Sequence, residues 1–146
     1  MTRICIFSGS TLGSAEYVAE HLETVLAQDY ETHLLHGPSL DEVLAEKIWL
    51  IVTSTHGAGE LPENLQPLFE DLQQRELDLS NLRFAVIGLG NSDYDTFCFA
   101  AEKMRQALLA KSAVEICKVL QIDMPNVDDA EQFAEDWLPN FTAQLA

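Results

Sequence analysis

The stretch Phe7-Ser8-Gly9-Ser10-Thr11-Leu12-Gly13-Ser14-Ala15-Glu16 directly follows the first apolar run of the chain and contains no lysine or arginine. Small residues let backbone N–H groups approach an anion. Serine and threonine hydroxyls add donors, and a helix N-terminus adds its dipole. This chemistry suits a phosphate monoester held by neutral groups. A nucleoside triphosphate site would need the lysine of G-x-x-x-x-G-K-[ST], which is missing. A dinucleotide site would need G-x-G-x-x-G at this turn, also missing. The loop therefore points to a cofactor ending in one phosphate, with FMN foremost.

Two further loops carry unusual chemistry. Thr53-Ser54-Thr55-His56-Gly57-Ala58-Gly59-Glu60-Leu61-Pro62 has two glycines that permit peptide orientations other residues resist. A peptide at Gly57 can turn its carbonyl toward the N5–H of a protonated flavin ring. Gly88-Leu89-Gly90-Asn91-Ser92-Asp93-Tyr94-Asp95-Thr96-Phe97-Cys98 lets backbone approach a flat ring, and Tyr94 can stack on that ring's face. Cys98 reads as an apolar neighbour of the cofactor rather than a nucleophile. Each loop alone also fits an ordinary turn; the three in order carry the argument.

The elements that must position these loops are legible as alternating apolar and amphipathic runs. Strands are expected at residues 4–7, 32–36, 47–53, 83–88 and 114–119. Helices are expected at 14–28, 41–45, 62–74, 96–111 and 128–145, with Pro139 ending or kinking the last one. Continuous apolar runs such as Ile48-Trp49-Leu50-Ile51-Val52 belong to strands covered on both faces. The expected fold class is α/β: a doubly wound, five-stranded parallel sheet in a three-layer α/β/α arrangement, as one domain over residues 1–146. In such sheets ligands sit beyond the C-terminal strand ends, at the topological switch point. All three loops follow strands.

Bulk properties narrow the function. Eight basic against twenty-four acidic residues give a net charge of −16. Nucleic acid and anionic membrane surfaces are disfavoured, because both need Lys and Arg clusters. A basic protein partner is favoured, although acidity also serves solubility. Three cysteines without C-x-x-C and four histidines without H-E-x-x-H argue against a disulfide framework or a metal site. No signal pattern or membrane-length apolar run is present, so a cytoplasmic location is expected.

Taken together, the three loops resemble the FMN-binding segments of the flavodoxin family, over essentially the whole chain. The resemblance implies a flavodoxin-like fold and an FMN electron carrier with no catalytic residue. Such carriers shuttle electrons from a basic flavoprotein reductase to iron–sulfur and radical enzymes, biotin synthase among them. It implies that Ser10, Thr11, Leu12, Gly13 and Ser14 hold the phosphate. Thr55, His56, Gly57, Ala58 and Gly59 would border the N5 edge of the ring. Leu89, Gly90, Asn91, Tyr94, Phe97 and Cys98 would border the ring and its pyrimidine side. His56 stands where many members carry Trp or Tyr, and Ala15 where a hydroxyl residue is frequent. The chain also lacks the fifth-strand insertion of long-chain members.

Two alternatives stay open at this point. An FMN-dependent NAD(P)H:quinone reductase would need a nicotinamide pocket, which nothing in the sequence marks. A non-redox interaction module is the other. A receiver domain of the same topology is excluded by Ser8 and by Thr53-Ser54, where that fold needs acidic residues.

Overall fold

Long β-branched and aromatic runs supply the three central strands, and their nearly unbroken burial follows from having helices on both sides. The structure, a computed structural model, describes residues 2–10, 13–55 and 59–145. Strand β1 spans Arg3–Gly9, β3 Ile48–Ser54 and β4 Arg83–Gly90, each with six consecutive buried positions. Strand β2 (Glu31–His36) lies at one edge and is only partly buried. All pairings are parallel, in the order β2-β1-β3-β4 and then the fifth position. The chain reverses its direction of growth between β1 and β3, so their C-terminal ends form the switch-point crevice.

The fifth position differs from expectation. Instead of one strand over 114–119, two short segments pair with β4: β5 (Val114–Glu115) and β6 (Leu120–Asp123). Arg83 faces Val114, whereas Ile87 faces Leu120, so four steps along β4 match six along the edge. The two extra residues leave the ladder as a bulge, a common device at sheet edges. The C-terminal end of the fifth position is therefore Asp123.

The helices are α1 (Ser14–Leu26), α2 (Leu40–Val43), α3 (Gln66–Gln74), α4 (Phe99–Leu109) and α5 (Ala130–Thr142). Pro67 sits in the first turn of α3, where its missing N–H costs nothing. Pro139 does not end α5, which continues to Thr142. Leu138 and Phe141 are buried on either side of it and hold the segment against the sheet. One sheet face, with Phe7, Trp49 and Val86, packs on α2, α3 and α4; the other, with Ile6, Leu50 and Ile87, packs on α1 and α5. Trp49 meets Phe7 edge to face at 5.3 Å and donates its indole N–H to the Val43 carbonyl at 3.1 Å.

At the N-terminal strand ends, Arg3 grips Glu46 through Nε (2.7 Å) and Nη2 (3.0 Å), and His33 Nδ1 meets the same carboxylate at 2.8 Å. Cys5 Sγ completes a group within 4.8 Å, but Glu46 is already committed to Arg3 and His33. Burial pushes the Cys5 thiol up to about 12. We read the group as an ion-pair network that ties β1, β2 and the approach to β3. The Arg3 guanidinium holds the Glu46 carboxyl below its ordinary 4.5. A depressed carboxylate stabilises the fold above its unfolded value and loses that contribution as pH falls through its folded value. Glu46→Gln is thus expected to cost about 1.5–3 kcal/mol at neutral pH, as for hydrogen bonds to a charged group. The cost should shrink below pH 4.5, as measured by urea unfolding across pH.

Candidate functional site

The expected loops converge on the C-terminal edge of the sheet. The first begins later than expected, because Ser8 and Gly9 belong to β1. Ser8 is fully buried, and its hydroxyl meets His36 Nδ1 at 2.5 Å, joining the ends of β1 and β2. Ser10 then turns its Oγ back to accept the Gly13 N–H at 2.6 Å. Gly13 has φ 87°, a left-handed conformation that favours glycine. Thr11 and Leu12 lie outside the described residues.

Gly13 is also the N-cap of α1 and has no side chain to cap with. The first helical bond runs from the Tyr17 N–H to the Gly13 carbonyl at 3.1 Å. Among the described residues, no side chain caps the N–H groups of Ser14, Ala15 and Glu16. Orphan donors at the start of a 13-residue helix are the chemistry an anion requires. The donor set is neutral throughout.

Beside this helix N-terminus lies a cavity of about 520 Å³. Ser14, Thr55, Leu89, Gly90, Asn91, Tyr94, Phe97 and Cys98, all expected from the sequence, line it. Ser54 and Thr96, on the same two loops, line it too, as do Met124 and Pro125, which were not expected. Gly59 is buried but does not line it; His56, Gly57 and Ala58 lie outside the described residues. Met124 and Pro125 follow the true end of the fifth position. Placing that strand at 114–119 hid them, although the rule that ligands sit beyond strand C-termini would otherwise have found them.

The wall from 88 to 98 is held tightly. A Cβ on Gly90 would meet the Cys98 N and Phe97 Cδ1, both at 3.1 Å, so this position admits little more than hydrogen. Cys98 is the N-cap of α4, with φ 54° and ψ 24°, a conformation that costs a non-glycine residue roughly 1–2 kcal/mol. Its Sγ donates to the Gly88 carbonyl at 3.4 Å, and burial pushes the thiol up to about 11. A buried, protonated thiol is a packing group rather than a nucleophile. Tyr94, by contrast, is 66% exposed at the mouth of the cavity. Glu60, Glu63, Asp93 and Asp95 are exposed nearby in sequence on the same loops.

A flavodoxin family model matches residues 6–137, and the chain belongs to the flavodoxin family. Among curated relatives, it is 65% identical over 143 residues to the protein MioC homolog of Haemophilus influenzae, covering 97% of this chain and 98% of that one. Among solved structures, a C101A mutant of flavodoxin from Pseudomonas aeruginosa superposes with a TM-score of 0.91 at 39% identity, covering 99% of each chain. Fusobacterium nucleatum flavodoxin bound to flavin mononucleotide shares the fold, with a TM-score of 0.85 at 17% identity over 99% of each chain.

Thr55 has a role beyond lining the cavity. Its Oγ1 accepts the Ala100 N–H at 3.2 Å, so the residue just after β3 caps α4 from outside the helix. Its own N–H donates to the Leu89 carbonyl at 3.2 Å. Thr55→Val keeps the shape and removes the cap. It is expected to lower stability by about 0.5–2 kcal/mol, the usual cost of a lost N-cap, in a denaturant titration.

Proposed function

We propose that this chain is an FMN-binding, one-electron carrier of the cytoplasm. It accepts electrons from a basic flavoprotein reductase and delivers them to iron–sulfur or radical enzymes such as biotin synthase. The observation that supports it most is the pairing of a cation-free helix N-terminus with an apolar-walled cavity on one sheet edge. That pairing fits a flat ring carrying a phosphate tail. Bound FMN supplies electron exchange in single steps, which no side chain of this chain can do.

The residues divide the work. Ser10, Gly13 and Ser14, with Thr11 and Leu12, hold the phosphate through hydroxyls and backbone N–H groups. Thr55, with His56, Gly57 and Ala58, borders the N5 edge, whereas Gly59 does not line the cavity. Leu89, Gly90, Asn91, Phe97 and Cys98 form the ring's bed, and Tyr94 covers its outer face. The carboxylates on these loops raise the free energy of negative charge placed on the ring, so the carrier is strongly reducing. The same carboxylates steer a basic partner. Among the described residues, no helix is long and apolar enough to cross a membrane.

The phosphate loop has no evident purpose without a phosphate. A fluorescence-quenching titration is therefore expected to give a 1:1 complex with FMN bound far more tightly than riboflavin. Each hydrogen bond to a charged group contributes roughly 1.5–3 kcal/mol, so the preference should be at least about tenfold. Equal affinities would remove the reading, and NAD(P)H oxidation without a reductase would favour the quinone reductase instead.

Electron transfer to a basic redox partner is expected to slow as salt rises. The net charge of −16 acts over a distance that screening shortens to about 8 Å at physiological ionic strength. Stopped-flow rates that stay constant from low to high salt would contradict electrostatic steering.

A further inference from the structure

Two walls of the cavity come from separate parts of the chain. One is the turn that carries Asn91 and Tyr94 after β4. The other is Met124 and Pro125, in the 3₁₀ turn Met124–Asn126 after β6. A single carboxylate joins them. Asp123 Oδ1 accepts the Ser92 N–H at 3.0 Å, and Oδ2 accepts the Ser92 hydroxyl at 2.5 Å and the Asn126 amide at 2.6 Å. Asp123 is the last residue of β6 and lies in register with Gly90 of β4. The carboxylate therefore hangs from the sheet rather than from a loop.

The Ser92 turn is itself compact. Asn91 Oδ1 accepts the Asp93 N–H at 2.9 Å, and the Asn91 carbonyl accepts the Tyr94 N–H at 3.1 Å. Fixing Ser92 thus fixes Asn91 on one side and Tyr94 on the other. On the second wall, the Asn126 amide reaches back over Met124 and Pro125 to the same oxygen as the Ser92 hydroxyl. Neither Ser92, Asp123 nor Asn126 lines the cavity. They can act on a bound ring only through the residues they hold.

We propose that Asp123 is a positioning residue of the flavin site, whose carboxylate sets the Tyr94 turn and the Met124–Pro125 turn against each other and so fixes the ring-binding walls. This rests on the FMN reading above. Three donors converge on the group and hold it below its ordinary 3.8. It is thus ionised, and an acceptor only, at neutral pH. The chemistry demands a carboxylate: an amide at this position would present a donor where three donors already point. Serine and asparagine at 92 and 126 supply those donors, and neither has another role in the cavity.

The test separates positioning from a direct effect of the Asp123 charge. The dissociation constants of FMN and of riboflavin are measured for wild type and for Ser92→Ala, Asn126→Ala, Asp123→Asn and Asp123→Ala. Visible circular dichroism of the bound flavin is recorded alongside, and thermal melts confirm folding. Asp123→Ala is expected to weaken both flavins by the same factor, about tenfold, because the three hydrogen bonds that hold the two turns together are lost at once. Ser92→Ala and Asn126→Ala keep the charge and should weaken both flavins by smaller, equal factors, with altered flavin dichroism. The Ser92→Ala/Asp123→Ala double variant should bind no worse than Asp123→Ala alone, because both remove one unit.

Affinities within twofold of wild type in all variants would overturn the proposal. So would losses confined to the Asp123 variants, which would assign a charge effect, or losses for FMN without riboflavin, which would assign the phosphate side. If wild type binds neither flavin, the cofactor reading fails and takes this proposal with it. Wild-type binding with unmoved variants overturns the proposal alone.

Discussion

The proposed site, and the frame that positions it, depends on holding a phosphate without a cation. The chain carries a net charge of −16, and none of its eight basic residues falls on the three loops of the site. A lysine there would bind the anion easily and would also draw negative charge toward the ring. In the proposed site the anion would instead meet the N–H groups at the start of α1, which no described side chain caps, Ser10 folded back on Gly13, and the dipole of α1. These donors are weak singly and cannot move. They act only if the helix start and the end of β1 are rigidly placed, which the buried sheet provides.

The parallel sheet is what brings weak signals into one site. Its register puts Gly9, Ser54, Leu89 and Asp123 at one edge, on β1, β3, β4 and β6. These strand ends border the same crevice. The connections back to that edge are mostly helix caps and short hydrogen bonds: Thr55 to α4, Cys98 to β4, Asp123 to two loops. The ion-pair network of Arg3, Glu46 and His33 lies at the other end, where it stabilises the frame without entering the site.

Much of this was legible in the residues. Buried strands announce themselves as apolar runs, so the four central and edge strands β1 to β4 were placed within about two residues. Several residues of the expected loops, among them Ser14, Thr55, Asn91 and Tyr94, do line one cavity, because small, hydroxyl and aromatic residues cluster after the strands that meet there. What escaped was set by tertiary pairing. The bulge between β5 and β6 is a property of the ladder with β4 and has no local signature. It displaced the strand end by four residues, from 119 to Asp123, and hid Met124 and Pro125. The α4 start also differs, Phe99 rather than 96, because Cys98 adopts a left-handed conformation at the helix start, with its Sγ bonded to Gly88 of β4. Pro139 reads as a helix breaker, yet the buried contacts of Leu138 and Phe141 outweigh its missing hydrogen bond.

A carrier differs from a two-electron reductase in how it treats charge. In the proposed complex the carboxylates on the flanking loops would make an anionic, fully reduced ring cost far more than a neutral radical formed by one electron with its proton. A one-electron carrier therefore separates its two reduction steps in potential. Stepwise anaerobic reduction of the FMN complex, followed by visible absorption against a potential standard, measures that separation directly. The account predicts two resolved one-electron steps, the second at a much lower potential than the first. A single two-electron step, with no resolved first stage, would contradict it.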